Sequence, residues 1–167
     1  MKNKEGFIFY VMGVSGTGKS TIGKLLAQDL GIPFFDGDDY HPKSNIDKMA
    51  SGKPLNDSDR EDWLLKLNTV ALANNKNGAV IACSALKKSY RSILKENLNN
   101  HYFIFLEGSF DLILDRMGTR KDHFMPIDLL TSQFEALEVP NNSESVIGLS
   151  VELAPELLIA KIKKHIT

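Results

Sequence analysis

Eight residues near the start of the chain have the types and spacing needed to hold a polyphosphate. The run Gly13-Val14-Ser15-Gly16-Thr17-Gly18-Lys19-Ser20 fits the pattern G-x-x-x-x-G-K-[ST] at every fixed position. Such a loop turns backbone N–H groups toward phosphate oxygens at the N-terminus of a helix. We expect Lys19 to reach the β- and γ-phosphates and the Ser20 hydroxyl to take a place on Mg²⁺. The predicted nucleoside triphosphate site comprises Gly13, Ser15, Gly16, Thr17, Gly18, Lys19, Ser20 and Thr21.

A group of carboxylates follows the second apolar run of the chain. Asp36 comes directly after Ile32-Pro33-Phe34-Phe35, and Asp38 and Asp39 lie within the next three residues. Phosphoryl transfer to an alcohol uses one carboxylate near the metal and another that accepts or orients the hydroxyl proton. The third apolar run ends in Cys83-Ser84-Ala85, which offers the metal no acidic residue. We therefore assign Asp36 to the metal by elimination, and Asp38 to the acceptor hydroxyl.

Cations and imidazoles elsewhere in the chain are candidates for binding the substrates. Arg120 is the first choice for neutralising charge on the transferred phosphoryl group, and Arg116 is a candidate nearer the adenine. A guanidinium makes bidentate bonds to a carboxylate, so a cation beside the strand ends is a candidate to read an acidic substrate. The candidates on that side are Arg60, Lys87 and Arg91, with His41 and His123 as hydrogen-bonding partners for a polyol. The alternative for these cations is an ordinary surface position.

The elements that must position these residues alternate along the chain. Continuous apolar runs predict strands buried on both faces, at residues 6–12, 32–35, 79–83, 102–106 and 146–151. Helical patterns lie between them; Ser58 to Glu61 matches a capping box, and Pro155 lies near the start of the last helix. Alternating strands and helices predict a parallel sheet with helices on both faces.

Two polar segments fall outside this alternation. Residues of about 37–56 separate the second strand from the capped helix, with a short helix expected around 44–50. A charged segment of about 118–127 separates two later helices. In a nucleotide enzyme such segments are candidates for a substrate-binding insertion and a closing lid, respectively. The alternative is that both are solvated connections.

The bulk properties indicate one ordinary globular domain, 1–167. Hydrophobic residues make up 43% of the 167 residues, and 20 Lys and Arg balance 21 Asp and Glu to a net charge of −1. This balance gives no broad field for nucleic acid or an anionic membrane. Cys83 is the single cysteine, which suits a reducing compartment. We expect a cytoplasmic protein without a signal peptide, membrane span or nucleic-acid partner.

Longer segments resemble one particular kinase family. Besides the glycine loop, the chain carries Phe35-Asp36-Gly37-Asp38-Asp39-Tyr40-His41-Pro42 and, later, Cys83-Ser84-Ala85-Leu86-Lys87-Lys88-Ser89-Tyr90-Arg91. These segments resemble the gluconate kinases of the small P-loop type, which are related in fold to shikimate kinases and nucleoside monophosphate kinases. The glycine loop alone fits many NTPases, whereas the two longer segments together are much more specific. The similarity runs almost from end to end.

The resemblance implies ATP-dependent phosphorylation of D-gluconate at its terminal hydroxyl, with 6-phosphogluconate as the product. It also implies a three-layer α/β P-loop NTPase fold with strand order 2-3-1-4-5, and commonly a homodimer. Asp38 corresponds to the position that faces the acceptor sugar acid. Several cations remain open as the partner of the gluconate carboxylate.

Two other functions are open to test. Another small hydroxy acid, shikimate above all, is the alternative substrate. A regulatory GTP switch is suggested by Asp115-Arg116-Met117-Gly118, which matches D-x-x-G. However, that match falls at the end of a predicted helix, and the chain has no N-K-x-D segment to read guanine.

Overall fold

A single parallel sheet forms the centre of the described part of the chain. The computed structural model describes residues 6–118 and 127–166. The strands pair in the order β2-β3-β1-β4-β5, and each pairing is parallel. Their bounds are β1 Ile8–Met12, β2 Phe34–Asp36, β3 Ala79–Ala82, β4 His101–Glu107 and β5 Val146–Ser150. The predicted parallel sheet and its implied strand order are confirmed. β2 begins at Phe34, because Pro33 has no N–H to donate to the ladder.

Seven helices of the described residues connect these strands and cover the sheet. They are α1 Lys19–Leu30, α2 Lys43–Ala50, α3 Asp57–Ala73, α4 Lys88–Leu94, α5 Phe110–Gly118, α6 Ile127–Ala136 and α7 Pro155–Ile166. A short 3₁₀ helix, Gly37–Tyr40, follows β2. α1 ends at Gly31, whose φ of 68° is left-handed and whose N–H donates to the carbonyls of Ala27 and Gln28. None of the helices in 6–118 and 127–166 is long and apolar enough to cross a membrane.

The start of α3 differs from the sequence prediction. The capping box uses Asn56 and Asp59 rather than Ser58 and Glu61. The Asp59 N–H donates to the Asn56 side chain at 2.8 Å, and the Asn56 N–H donates to the Asp59 carboxylate at 2.9 Å. Asn caps a helix as well as Ser does, and the earlier of two overlapping patterns gives the longer helix.

Two apolar layers pack on the two faces of the sheet. Successive strand residues point to opposite faces, so Phe9 and Val11 pack in one layer while Tyr10 and Met12 pack in the other. The first layer takes apolar side chains from α1, α5, α6 and α7, and the second takes them from α3 and α4. The sheet is therefore the middle of three layers, and the candidate residues gather where its strands end.

Candidate active site

The phosphate loop, residues 13–20, joins the end of β1 to the start of α1. Gly13, Gly16 and Gly18 have φ angles of 146°, 81° and 89°, which side chains other than glycine rarely adopt. A Cβ at Gly13 would also lie 2.8 Å from the carbonyl oxygen of Leu106. No side chain caps the first turn of α1, so its N–H groups are available to an anion. The strand, glycine loop and helix follow one another as predicted.

Lys19 curls back over the phosphate loop. Its Nζ donates to the carbonyl oxygens of Gly13 and Val14, both at 3.0 Å. Burial lowers the pKa of Lys19 from its usual range, although the carboxylates of Asp38 and Asp36 act in the opposite direction. A half-buried cation in this position is well placed to attract the oxygens of a polyphosphate.

The Asp36 carboxylate joins the phosphate loop to the bend after β2. One oxygen, Oδ2, accepts from the Ser20 hydroxyl at 2.9 Å, and Oδ1 accepts from the Asp38 N–H at 3.0 Å. Hydroxyl and carboxylate oxygens are the ligands that Mg²⁺ prefers, and Mg²⁺ usually needs only one or two carboxylates besides phosphate and water. The described residues contain no cluster of three or more His, Cys, Asp or Glu for a metal. Ser20 and Asp36 therefore fit a magnesium ion that is held mainly through a nucleotide.

A cavity of about 270 Å³ brings together predicted groups from the phosphate loop and from the bend after β2, and we call it the acceptor cavity. The phosphate loop contributes Ser15, Lys19 and Ser20, and the bend after β2 contributes Asp36 and Asp38. The Asp38 side chain is 88% exposed, so its carboxylate is accessible to a ligand. The predicted phosphate cradle and the predicted proton acceptor thus face one another across a common space.

An aromatic wall closes the acceptor cavity beside Asp38. The His41 ring stacks on Trp63, with centroids 4.0 Å apart and planes at 18°, and both residues line the cavity. Trp63 Nε1 donates to the Gly37 carbonyl at 2.7 Å, which fixes the indole under the bend. Burial, and secondarily the Arg60 charge, lowers the pKa of His41 to about 4. The imidazole is therefore neutral at pH 7, and its approach of 3.9 Å to Asp38 is not an ion pair.

Arg60, which lies outside the phosphate loop, also lines the acceptor cavity. Its Nη1 donates to the Leu55 carbonyl at 2.5 Å and to the Tyr90 hydroxyl at 3.2 Å. The Tyr90 hydroxyl in turn donates to Asp57, which also pairs with Lys87 at 2.9 Å. Arg60 is thus anchored at one nitrogen, whereas Lys87 is engaged with Asp57 and does not line the cavity.

Arg91 lies elsewhere, which corrects its predicted role as a reader of the substrate. Its side chain is 1% exposed, and its Nε donates to the Glu144 carboxylate at 2.7 Å. Nη1 donates to the Ala85 carbonyl at 2.8 Å, and Nη2 donates to the Glu138 carbonyl at 2.9 Å. A buried guanidinium needs this many partners. Its main partner is 53 residues further along the chain, so local spacing could not indicate the pair.

A second cavity, of about 260 Å³, lies on the other side of the phosphate loop. Thr17, Gly18 and Thr21 line it together with Arg116, whose Nη2 donates to the Val151 carbonyl at 2.7 Å. Arg116 therefore lies beside the loop, and its place near the adenine stays a prediction. The D-x-x-G match at 115–118 lies within α5, which disfavours a switch function. Arg120, His123 and the lid interior at 119–126 lie outside the described residues.

Gln133, on α6, was assigned no chemistry from the sequence, yet it contacts the phosphate loop. Its Oε1 accepts from the Ser15 N–H at 2.7 Å, and its Nε2 donates to the Ser15 hydroxyl at 3.0 Å. Trp63 was also missed, because its position on the helical stripe indicated only a core residue. Neither role has a local sequence signal, since each depends on a contact between distant elements.

Three comparisons place the chain among known proteins. The shikimate kinase family model matches residues 15–145. The thermoresistant gluconokinase of Escherichia coli (strain K12) is 48% identical over 161 residues, covering 95% of this chain and 92% of that protein. The gluconokinase of Gluconobacter oxydans (strain 621H) is 43% identical, with 93% and 88% covered.

Solved structures give the same grouping. A gluconokinase from Sinorhizobium meliloti 1021 superposes with a TM-score of 0.84 at 38% identity, covering 96% of this chain and 90% of that one. A shikimate kinase from Aquifex aeolicus vf5 gives a TM-score of 0.67 at 19% identity, covering 95% of each chain. At that lower identity the likeness concerns the fold alone.

Proposed function

The chain belongs to the gluconokinase family, and we propose that it phosphorylates D-gluconate with ATP as the phosphoryl donor. The shikimate kinase family model also matches the chain. The terminal hydroxyl is the acceptor and 6-phospho-D-gluconate is the product. The observation that carries this proposal is the identity of 48% to a gluconokinase over nearly the whole of both chains. The shared cavity of the phosphate loop and the Asp38 bend supplies a physical basis for it.

The phosphate loop is proposed to bind the triphosphate of ATP. Its backbone N–H groups and the first turn of α1 receive phosphate oxygens, and Lys19 supplies positive charge to the β- and γ-phosphates. Arg116 and the second cavity lie on the side of Thr17 and Gly18, which supports that cavity as the site of the adenine. The γ-phosphate then points toward the acceptor cavity, which Lys19 and Ser20 line.

Asp38 is proposed to take the proton of the acceptor. The terminal hydroxyl oxygen attacks the γ-phosphorus, the bond from that phosphorus to the β–γ bridging oxygen breaks, and the hydroxyl proton passes to the Asp38 carboxylate. The bridging oxygen leaves with ADP, and Lys19 stabilises the negative charge that gathers there. The accessible carboxylate of Asp38 in the same cavity as Lys19 supports this assignment.

Arg60 is proposed to hold the carboxylate of gluconate. Of the cations that line the described cavity, it is the one outside the phosphate loop, and its side-chain hydrogen bonds to Leu55 and Tyr90 both use Nη1. His41, neutral at pH 7, is suited to accept or donate a hydrogen bond with a polyol hydroxyl. Lys87 and Arg91 are not assigned to the gluconate carboxylate, because Lys87 pairs with Asp57 and Arg91 pairs with Glu144.

Mg²⁺ is proposed to accompany ATP, with Ser20 and Asp36 as the residues nearest to it. When bound, the ion would neutralise negative charge on the phosphates of ATP. The pairing of the Ser20 hydroxyl and Asp36 at 2.9 Å supports an oxygen-rich position at the start of α1.

A panel of acceptors tests the function. Purified protein is incubated with ATP and with gluconate, shikimate or another sugar acid, and ADP release is followed by a coupled assay. We expect the kcat/KM for gluconate to exceed that for every other acid. Equal or better turnover of shikimate, which is named only in the distant family model, would favour the alternative substrate.

The remaining assignments are proposals with simple tests. A homodimer is supported by the resemblance, and light scattering of the purified protein measures its mass. A cytoplasmic location is supported by the single cysteine. The near-neutral net charge of −1 supports neither nucleic acid nor a membrane as a partner. A single domain over 1–167, a substrate-binding insertion at 37–56, and a lid at 118–127 with Arg120 and His123 stay predictions.

A further inference from the structure

The side-chain amide of Gln133 makes two hydrogen bonds to Ser15 of the phosphate loop, and we call this pair of bonds the clasp. It accepts from the Ser15 backbone N–H at 2.7 Å and donates to the Ser15 hydroxyl at 3.0 Å. Both bonds are well inside the usual range for hydrogen bonds. The two residues are 118 positions apart, so the clasp joins the loop to a separate part of the fold.

The helix that carries Gln133 is itself fixed. Leu130 of α6 is buried in the layer that also contains α1, and Leu129 of the same helix is buried as well. Phe134 packs edge-on against Phe110, with centroids 5.4 Å apart. Just beyond α6, the Glu138 N–H donates to the Leu86 carbonyl at 2.8 Å. Gln133 therefore projects from a rigid support, which is what a positioning side chain requires.

The clasp lies on one particular side of the phosphate loop. Ser15 and Gln133 both line the acceptor cavity, together with Lys19 and Asp38. Thr17 and Gly18, a few residues on, line the second cavity instead. A change at Gln133 should therefore disturb the place where the phosphoryl group meets its acceptor more than the place where the base binds.

We propose that Gln133 is a positioning residue for phosphoryl transfer, which fixes Ser15 so that the acceptor side of the phosphate loop keeps the geometry of the reaction. This inference rests on the proposed function, because the reaction it serves is the transfer to gluconate. Glutamine suits the position because its amide satisfies both groups of Ser15 without placing a negative charge against phosphate oxygens. Small displacements of reacting groups are costly, since about 1 Å can lower a rate on the order of a hundredfold.

The test compares two glutamines of the chain. Gln133→Leu keeps the approximate volume and helix propensity of the side chain but removes both hydrogen bonds. Gln28→Leu makes the same change on the exposed face of α1 and serves as the matched control. For each variant, kcat, the KM for gluconate, the KM for ATP and the dissociation constant of ADP are measured. We expect Gln133→Leu to lower kcat about tenfold or more, with ADP affinity within about twofold of wild type, and Gln28→Leu to match wild type in all four.

A double-mutant cycle separates positioning from simple stabilisation of the fold. If Gln133 acts through Ser15, the loss of kcat in Ser15→Ala with Gln133→Leu is smaller than the product of the two single losses. Independent, multiplicative losses, or a kcat for Gln133→Leu within about twofold of wild type, would overturn the proposal. If the leucine variant does not fold, Gln133→Asn replaces it, because its amide is one methylene too short to make both contacts. Failure of the wild type itself to phosphorylate gluconate would instead reject the proposed function.

Discussion

The Ser20 hydroxyl donates a hydrogen bond of 2.9 Å to Oδ2 of Asp36. This contact joins the first turn of α1 to the end of β2, across 16 positions of the chain. Because Oδ1 of the same carboxylate accepts from the Asp38 N–H, the position of the proposed proton acceptor is tied to the phosphate loop. The Asp36 carboxylate therefore contacts both Ser20, at the end of the phosphate loop, and the backbone of Asp38.

Removal of the Asp38 charge is expected to impair the chemical step. Asp38→Asn should lower kcat by about a hundredfold or more, because an amide cannot accept the hydroxyl proton. ATP affinity should remain close to that of wild type, since Asp38 is on the acceptor side. Asp39→Asn, an adjacent exposed position outside the cavity lining, is the matched control. A kcat for Asp38→Asn within about twofold of wild type would remove Asp38 from this role.

Lys19 is expected to matter for turnover but not for folding. Its ammonium is partly buried with two carbonyl partners, and desolvation lowers its pKa, so the folded protein does not gain from this charge. Lys19→Met should reduce kcat/KM on the order of a hundredfold or more, while the thermal midpoint stays equal or rises. A variant that unfolds at a clearly lower temperature would show that Lys19 has a structural role instead.

The choice of cation for the gluconate carboxylate can be tested by a pair of substitutions. Arg60→Ala should raise the KM for gluconate about tenfold or more, because charge-assisted bonds to a carboxylate are lost. Lys87→Ala breaks the exposed pair with Asp57 and should leave that KM within about twofold. Steady-state kinetics at saturating ATP measures both. The reverse order of effects would assign the carboxylate to Lys87.

Arg91 and Glu144 are expected to support stability. Removal of one member of a buried pair leaves a charge without its partner, so Arg91→Met should lower the free energy of unfolding by about 3–5 kcal/mol. Lys163→Met, at an exposed pair with Asp29, should cost under about 1 kcal/mol. Urea unfolding followed by tryptophan fluorescence compares them. Equal effects of the two substitutions would contradict the structural role of Arg91.

His41 should make the folded protein less stable in mild acid. Its pKa is about 4 when folded, against the usual value of 6.5, so only the unfolded chain takes up the proton between these values. The free energy of unfolding therefore falls as the pH drops from 6.5 toward 4, and it is unaffected by His41 above pH 6.5. In His41→Gln this part of the loss should disappear. Urea unfolding at pH 7 and pH 5 measures it, and an identical pH dependence in both proteins would contradict the shift.

Much of the fold follows from signals that are local in the sequence. Continuous apolar runs separated by helical patterns are sufficient for a parallel sheet, and the glycine spacing at 13–18 is sufficient for the phosphate loop. The predicted N-cap of α3 was two residues too late, because Asn56 and Ser58 offer overlapping capping signals. The choice between them depends on what precedes the helix.

The site was only partly predictable, for a different reason. Asp36 ends β2, Asp38 and His41 follow it within five residues, and all three line one cavity with the phosphate loop. Arg91 and Gln133 take their roles from partners 53 and 118 positions away. Such pairings are set by packing of distant elements, and no periodicity along the chain records them.

A crystal structure with gluconate and a non-hydrolysable ATP analogue tests the central claim most directly. The claim is that the phosphate loop and the bend at 36–38 serve one reaction in the acceptor cavity. The account predicts the terminal hydroxyl of gluconate within hydrogen-bonding distance of the Asp38 carboxylate and facing the γ-phosphate. Gluconate bound outside the cavity, or with its terminal carbon turned away from the phosphate loop, would contradict it.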